Sequence, residues 1–178
     1  MWPFSKKPNV VTIEQLAAGV MELMGRCGAS FCAELQKQTE QAWSLGPEEI
    51  TTLGHEIFLA YLWAASKALA PDRTVLDSMH DGYFKSCYHS AATHEEGAVR
   101  ANVAQAEVSE RYEQYYKAWD RNMKSSGGAS LGFEMSQFFF PRHRPVRNFH
   151  LHMLIQIHIQ TFMQSLVEFR KQFELKDA

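Results

Sequence analysis

Apolar residues recur at three- and four-residue intervals through most of this chain, the spacing of one face of an α-helix. The clearest run is Ile13, Leu16, Val20, Met24, Cys27, Phe31 and Leu35. Thr12-Ile13-Glu14-Gln15 stands at its start as a capping box. There the Thr hydroxyl and the Gln amide satisfy backbone groups that have no partner inside the helix. Gly25 and Gly28 interrupt the run and predict a bend or a close contact with another helix. Gly46-Pro47-Glu48-Glu49 opens a second helix, with Pro in the first turn and two carboxylates at the positive end of the dipole. Apolar residues surround this second helix as far as Ala70, where Pro71-Asp72 closes it and starts a third that runs to His89. Thr93-His94-Glu95-Glu96 is another capping box, and Val99, Val103, Tyr112, Tyr115, Trp119 and Met123 follow as one stripe. Residues 124–130, Lys-Ser-Ser-Gly-Gly-Ala-Ser, predict a flexible loop. Residues 1–11, punctuated by Pro3 and Pro8, predict an irregular arm.

From Phe149 to Ile159 apolar and polar residues nearly alternate, which taken alone is a strand pattern. A strand needs a partner, and no second convincing strand is present. Asn148, His152, Gln156, Gln160, Gln164 and Glu168 recur every four residues, a helical period. The segment 146–175 is therefore expected as one long helix that buries Leu154, His158, Phe162, Leu166, Phe169 and Phe173. Long helices joined by short connections predict an all-α fold. We expect an antiparallel helical bundle of about five to six helices, with residues 1–178 as a single domain.

Composition narrows the function classes. Of 178 residues, 46% are apolar and 21% charged, with 12 Phe, 4 Trp and 6 Tyr, which is enough to fill a core. A net charge of −2 argues against a nucleic-acid-binding polycation. The start, Met1-Trp-Pro-Phe-Ser-Lys-Lys7, lacks the apolar stretch of a secretory leader. Cys27, Cys32 and Cys87 are odd in number and form no CxxC, so free, buried thiols and a cytoplasmic setting are expected. The most apolar window, 50–70, carries His55, Glu56 and Lys67, so no membrane span is expected there.

Eight histidines make metal chemistry worth testing. No His-x-x-x-His occurs. His150 and His152 share a face only on a strand, so on a helix one is expected partly buried and the other exposed. Cys87 and His89, two apart, cannot pair across a helix face. The richest constellation is dispersed: His55, then Met79-His80-Asp81-Gly82, then His94, then Asp120. It resembles the HD-domain metal phosphohydrolases, all-helical proteins named for a His-Asp pair. The resemblance covers about residues 50–125 and implies His55, His80, Asp81 and Asp120 as ligands, with His94 as a possible addition. Mixed imidazole and carboxylate ligands suit Mn, Fe, Co or Zn, which would activate a water for attack on phosphorus. The competing expectation is that His55 and His80 are buried, hydrogen-bonded side chains and that Asp81 lies on the surface.

Two further features bear on binding. Residues 141–167 contain Arg142, Arg144 and Arg147 and no acid, a site for an anion or acidic partner. Alternatively they form a basic connector, since residues 1–140 hold 12 basic and 17 acidic side chains. Three consecutive phenylalanines, Phe138, Phe139 and Phe140, cannot all face one core from a single helix. At least one is expected at the surface, making 131–141 the expected partner contact. His158 on an apolar face is a conceivable anchor for a haem-like ligand. The first expectation is a non-catalytic interaction module that acts as a homodimer. The alternative is an HD-like phosphohydrolase that needs a divalent metal.

Overall fold

The computed structural model describes residues 8–40, 42–124 and 130–176. It consists of six α-helices: α1 (Ile13–Thr39), α2 (Pro47–Ala68), α3 (Arg73–His89), α4 (His94–Lys124), α5 (Ser130–Phe139) and α6 (Phe149–Arg170). A 3-10 turn at Pro141–His143 links α5 to α6. The all-α bundle is thus the observed architecture, and no helix among the described residues is long and apolar enough to cross a membrane.

The helix starts are the ones that the sequence marks. The Thr12 hydroxyl accepts from the Gln15 N–H at 3.2 Å, and the Gln15 amide oxygen accepts from the Thr12 N–H at 3.0 Å. Such a cap contributes about 1 kcal/mol. Glu49 accepts from the Gly46 N–H at 3.1 Å, and Thr93 from the Glu96 N–H at 3.2 Å. α2 is the central element, packed against α1, α4, α5 and α6. Its stretch from Leu59 to Ser66 is buried without interruption, so no single apolar stripe describes it. Gly28 lets α1 approach α2, since a Cβ there would lie 3.3 Å from Tyr61.

Two short strands depart from the expected organisation. β1 (Asn9–Val11) lies within the expected irregular arm, and β2 (Phe173–Leu175) ends the expected 146–175 helix early, α6 closing at Arg170. The two strands pair in parallel, Asn9 opposite Phe173 and Val11 opposite Leu175. Arg170 secures the junction. Its guanidinium makes two bonds to the Asp72 carboxylate, at 2.9 and 3.0 Å, and one to the Phe173 carbonyl at 2.7 Å. Three-residue strands joined across more than 160 residues leave no local periodicity to read. The expected 124–130 loop falls on residues 125–129, outside the described residues, between Lys124 and Ser130.

Two expected packing faces and the burial of the cysteines are also corrected. α6 does adopt a helix through 149–159, but its buried stripe is Leu151, Ile155, Ile159, Phe162 and Leu166. His152 and Gln156, expected on the polar side, are buried, whereas Leu154, His158, Phe169 and Phe173 are half-buried. The crossing of α5 over α6 explains the rotation: a Cβ on Gly132 would stand 1.8 Å from the His152 carbonyl oxygen. His152 is satisfied there by donating from Nε2 to the Val146 carbonyl at 3.0 Å. Gln156 is satisfied by accepting from Asn122 at 2.6 Å. His150 is exposed, as expected for one of that pair.

On α4, Val99, Val103 and Met123 do not share the buried stripe with Tyr115. The twelve residues from Val103 to Tyr115 rotate the helix face by about 120°, so the run of apolar residues winds around the helix. The three cysteines are free and half-buried against the core rather than fully inside it.

Candidate functional site

The four residues of the His/Asp constellation lie on three helices and are not gathered. His55 on α2 is exposed, its Nε2 3.2 Å from the Glu107 carboxylate on α4. His80 on α3 is half-buried, its Nε2 2.7 Å from the Tyr112 hydroxyl. That hydroxyl is in turn 2.9 Å from Ser66 Oγ. Burial pushes the His80 imidazole below its usual pKa, against the pull of the Leu76 carbonyl and the Asp77 and Asp81 carboxylates. Burial likewise pushes the Tyr112 hydroxyl far up. Ser66, Tyr112 and His80 form a neutral polar link between α2, α4 and α3. Asp81 and Asp120 are exposed, and His94, also exposed, meets the Tyr88 hydroxyl. Among the described residues no three His, Cys, Asp or Glu side chains sit where they would share a metal ion.

The phenylalanine-arginine segment is placed differently from expectation. Phe138, Phe139 and Phe140 are all buried, at 9%, 1% and 2% exposure. They escape the single-face restriction because α5 ends at Phe139, leaving Phe140 with non-helical backbone at φ −130° and ψ 62°. Each ring then finds its own neighbours. Phe138 packs edge-on to Tyr115, while Phe140 meets Trp43 at 5.8 Å between centroids and Phe139 at 6.4 Å. Arg142 pairs with Glu48 at 2.8 Å, and Arg144 donates to the Gln137 carbonyl and lies over Phe138. Two of the three arginines thus tie the 3-10 segment to α2 and α5, while Arg147 is exposed beside them. His158 is stacked on Phe31, centroids 3.8 Å apart, with Nε2, the atom that would ligate an iron, 2.5 Å from the Tyr61 hydroxyl.

Sequence reasoning missed an internal ion pair. Glu56 on α2 is 5% exposed and takes two bonds from Arg111 on α4, at 2.6 and 2.8 Å. The guanidinium also lies over the Phe138 ring, 4.0 Å from its centroid. A bidentate, desolvated pair of this kind fixes the register of α4 on α2. Glu56 stands at an inward position of an apolar helix, and only the distant Arg111 makes that tenable.

Beside this pair, α3 and α4 flank a shallow, open groove with His55 of α2 at one end. Tyr83, Cys87 and Ala104 line its apolar floor, and Val99 and Val103 rise along one side, exposed by 57% and 53%. Charged groups close it at opposite ends. Arg100 is held by Glu96 and by the Ser90 carbonyl, and Glu107 is held by His55. Burial drives the Tyr83 hydroxyl up in pKa, and Cys87, Glu107 and Glu56 add to the shift, so the floor presents a neutral phenol.

No family model, curated protein or solved structure matches the chain. The groove suits apolar contact framed by charge. It contains no nucleophile paired with a base and no convergent ligand set among the described residues.

Proposed function

We propose that this protein is a non-catalytic interaction module whose working surface is the α3–α4 groove. The observation that carries the reading is the pair Val99 and Val103, one helical turn apart and more than half exposed along an apolar depression. Two exposed valines one turn apart on α4, beside an apolar depression, are a ridge for a partner. An α-helix presenting small apolar residues at intervals of three and four fits such a groove. Burying the exposed half of each valine contributes roughly 1 kcal/mol. This surface is preferred to the 131–141 segment, where Phe138, Phe139 and Phe140 are buried in the core and, of its phenylalanines, only Phe133 is exposed.

A photo-crosslinking amino acid placed at Val103 tests the reading. Irradiation is expected to join it covalently to another polypeptide. The same probe at Gln105, exposed on the opposite side of α4, is expected to join nothing. Equal, background-level products from both positions would remove the groove as a binding surface.

A further inference from the structure

The charges of the groove identify what fills it, and this inference rests on the reading just given. Arg100 and Glu107 lie seven residues apart on α4 with Val103 and Ala104 between them. At the helical rise they are about 10.5 Å apart along the axis. The groove is thus positive at one end, apolar in the middle and negative at the other. Such a surface is complementary to itself after a half-turn.

We infer that the partner is a second copy of this chain, with the two α4 helices antiparallel across a two-fold axis beside Val103 and Ala104. In that register Arg100 of each copy faces Glu107 of the other, so one rotation creates two opposite-charge contacts. The Val99–Val103 ridge of each copy then enters the groove of the other, over Tyr83 and Cys87. A parallel arrangement would set Arg100 against Arg100 and Glu107 against Glu107, and repulsion disfavours it. The antiparallel contact is isologous: one patch serves both sides and the assembly closes at two. The present partners of these charges do not prevent it. The Arg100–Glu96 pair is half-exposed, and the His55–Glu107 pair similarly so. Exposed pairs of this kind hold weakly, and a guanidinium has donors enough for a second carboxylate.

Charge reversal tests this directly, because all the changed residues lie on the surface of α4. Sedimentation velocity over the micromolar range is expected to show the unaltered chain as a dimer. Arg100→Glu alone and Glu107→Arg alone are each expected to associate about tenfold more weakly, since each places like charges at both contacts. An equimolar mixture of the two variants is expected to recover a dimer containing one of each, counted by native mass spectrometry. The double variant Arg100→Glu/Glu107→Arg is expected to dimerise like the unaltered chain. Circular dichroism of every variant checks that the bundle is intact. A monomeric unaltered chain, or single variants that dimerise normally, or a mixture that fails to pair, overturns the second copy as occupant. If the Val103 crosslink then joins a different polypeptide, the groove remains a binding surface and only its occupant changes. If it joins nothing, the groove reading falls too.

Discussion

The α5–α6 pair and the α3–α4 pair are both helix hairpins, and both leave some apolar residues exposed, Phe133, Phe149 and Ile157 on the first and Val99 and Val103 on the second, yet the seams where the helices meet differ. α5 meets α6 so closely that Gly132 leaves no room for a methyl group beneath the His152 carbonyl. Three consecutive phenylalanines disappear into that part of the core, and the buried His152 and Gln156 each find a polar partner. The outer half of the α3–α4 hairpin leaves two valines in water above an apolar floor. Apolar content therefore does not tell a core from a binding surface. What covers the residue does.

The largest effect that would break this contrast is expected at the crossing. Gly132→Ala should cost more than about 3 kcal/mol in urea denaturation, because the obstacle is backbone and cannot rotate away. Gly82→Ala on α3, where a Cβ would meet nothing within 4 Å, should instead stabilise by about 0.5–1 kcal/mol through helix propensity. If the two alanine variants were equally stable, the close approach of α5 to α6 would be wrong.

The next effect compares two arginines on α4. Arg111→Ala strands Glu56 in the interior and should cost about 3–5 kcal/mol, whereas Arg100→Ala, on a half-exposed pair, should cost about 0–1 kcal/mol. Chemical denaturation of both variants measures the difference. A similar cost for both would mean that the Glu56 carboxylate is solvated.

A pH titration sharpens the comparison further. Burial is the main cause that holds His152 and His158 of α6 below the ordinary imidazole pKa of 6.5, opposed by the Val146 carbonyl and by Glu34 respectively. A base depressed in the folded state takes up its proton more readily when unfolded. Stability is thus complete above pH 6.5 and falls as the pH drops from there towards the folded pKa values. Thermal melting between pH 7.5 and pH 5 should show this loss, and replacing both histidines with Gln should flatten it. An unchanged slope would assign the pH dependence elsewhere, with His80, also depressed by burial, the next candidate.

The smallest effect is at the groove. Val103→Ser should change unfolding of the monomer by less than about 0.5 kcal/mol, as for exposed positions generally. Because the groove is proposed to work by apolar contact, the same change should weaken self-association in sedimentation. A large loss of monomer stability would mean that Val103 belongs to the core.

Much of the fold was legible because helix starts and ends are local chemistry. The capping box at Thr12, the Thr93 cap (whose Glu96 reaches back to the Ala92 N–H instead of closing the box) and the turn at Gly46-Pro47 lie where their residues say, and the four-residue polar spacing decides 149–159 in favour of helix. The faces were less legible. His152 and Gln156 read as polar surface because the partners that make their burial tenable, the Val146 carbonyl and the Asn122 amide, are set by how α5, the segment before α6 and α4 fold onto α6 rather than by the local pattern. The stripe from Val99 to Met123 read as one face because apolar spacings of three and four persist while the helix slowly turns. Of the site, His55 stands out in the sequence as a candidate metal ligand but forms an end wall of the groove, whereas Arg100 and Glu107 carry no signal at all.

The sequence by itself therefore determined which segments are helical and that the assembly is a bundle, since caps, breakers and apolar period act within a few residues of one another. Only the tertiary structure decided which side of each helix is covered, that Glu56 has its arginine, and that the chain ends pair as strands. The last two outcomes depend on partners 55 and 164 residues away in the chain. Hydrogen bonding and exclusion of water act on distance in space, which the order of residues along the chain does not express.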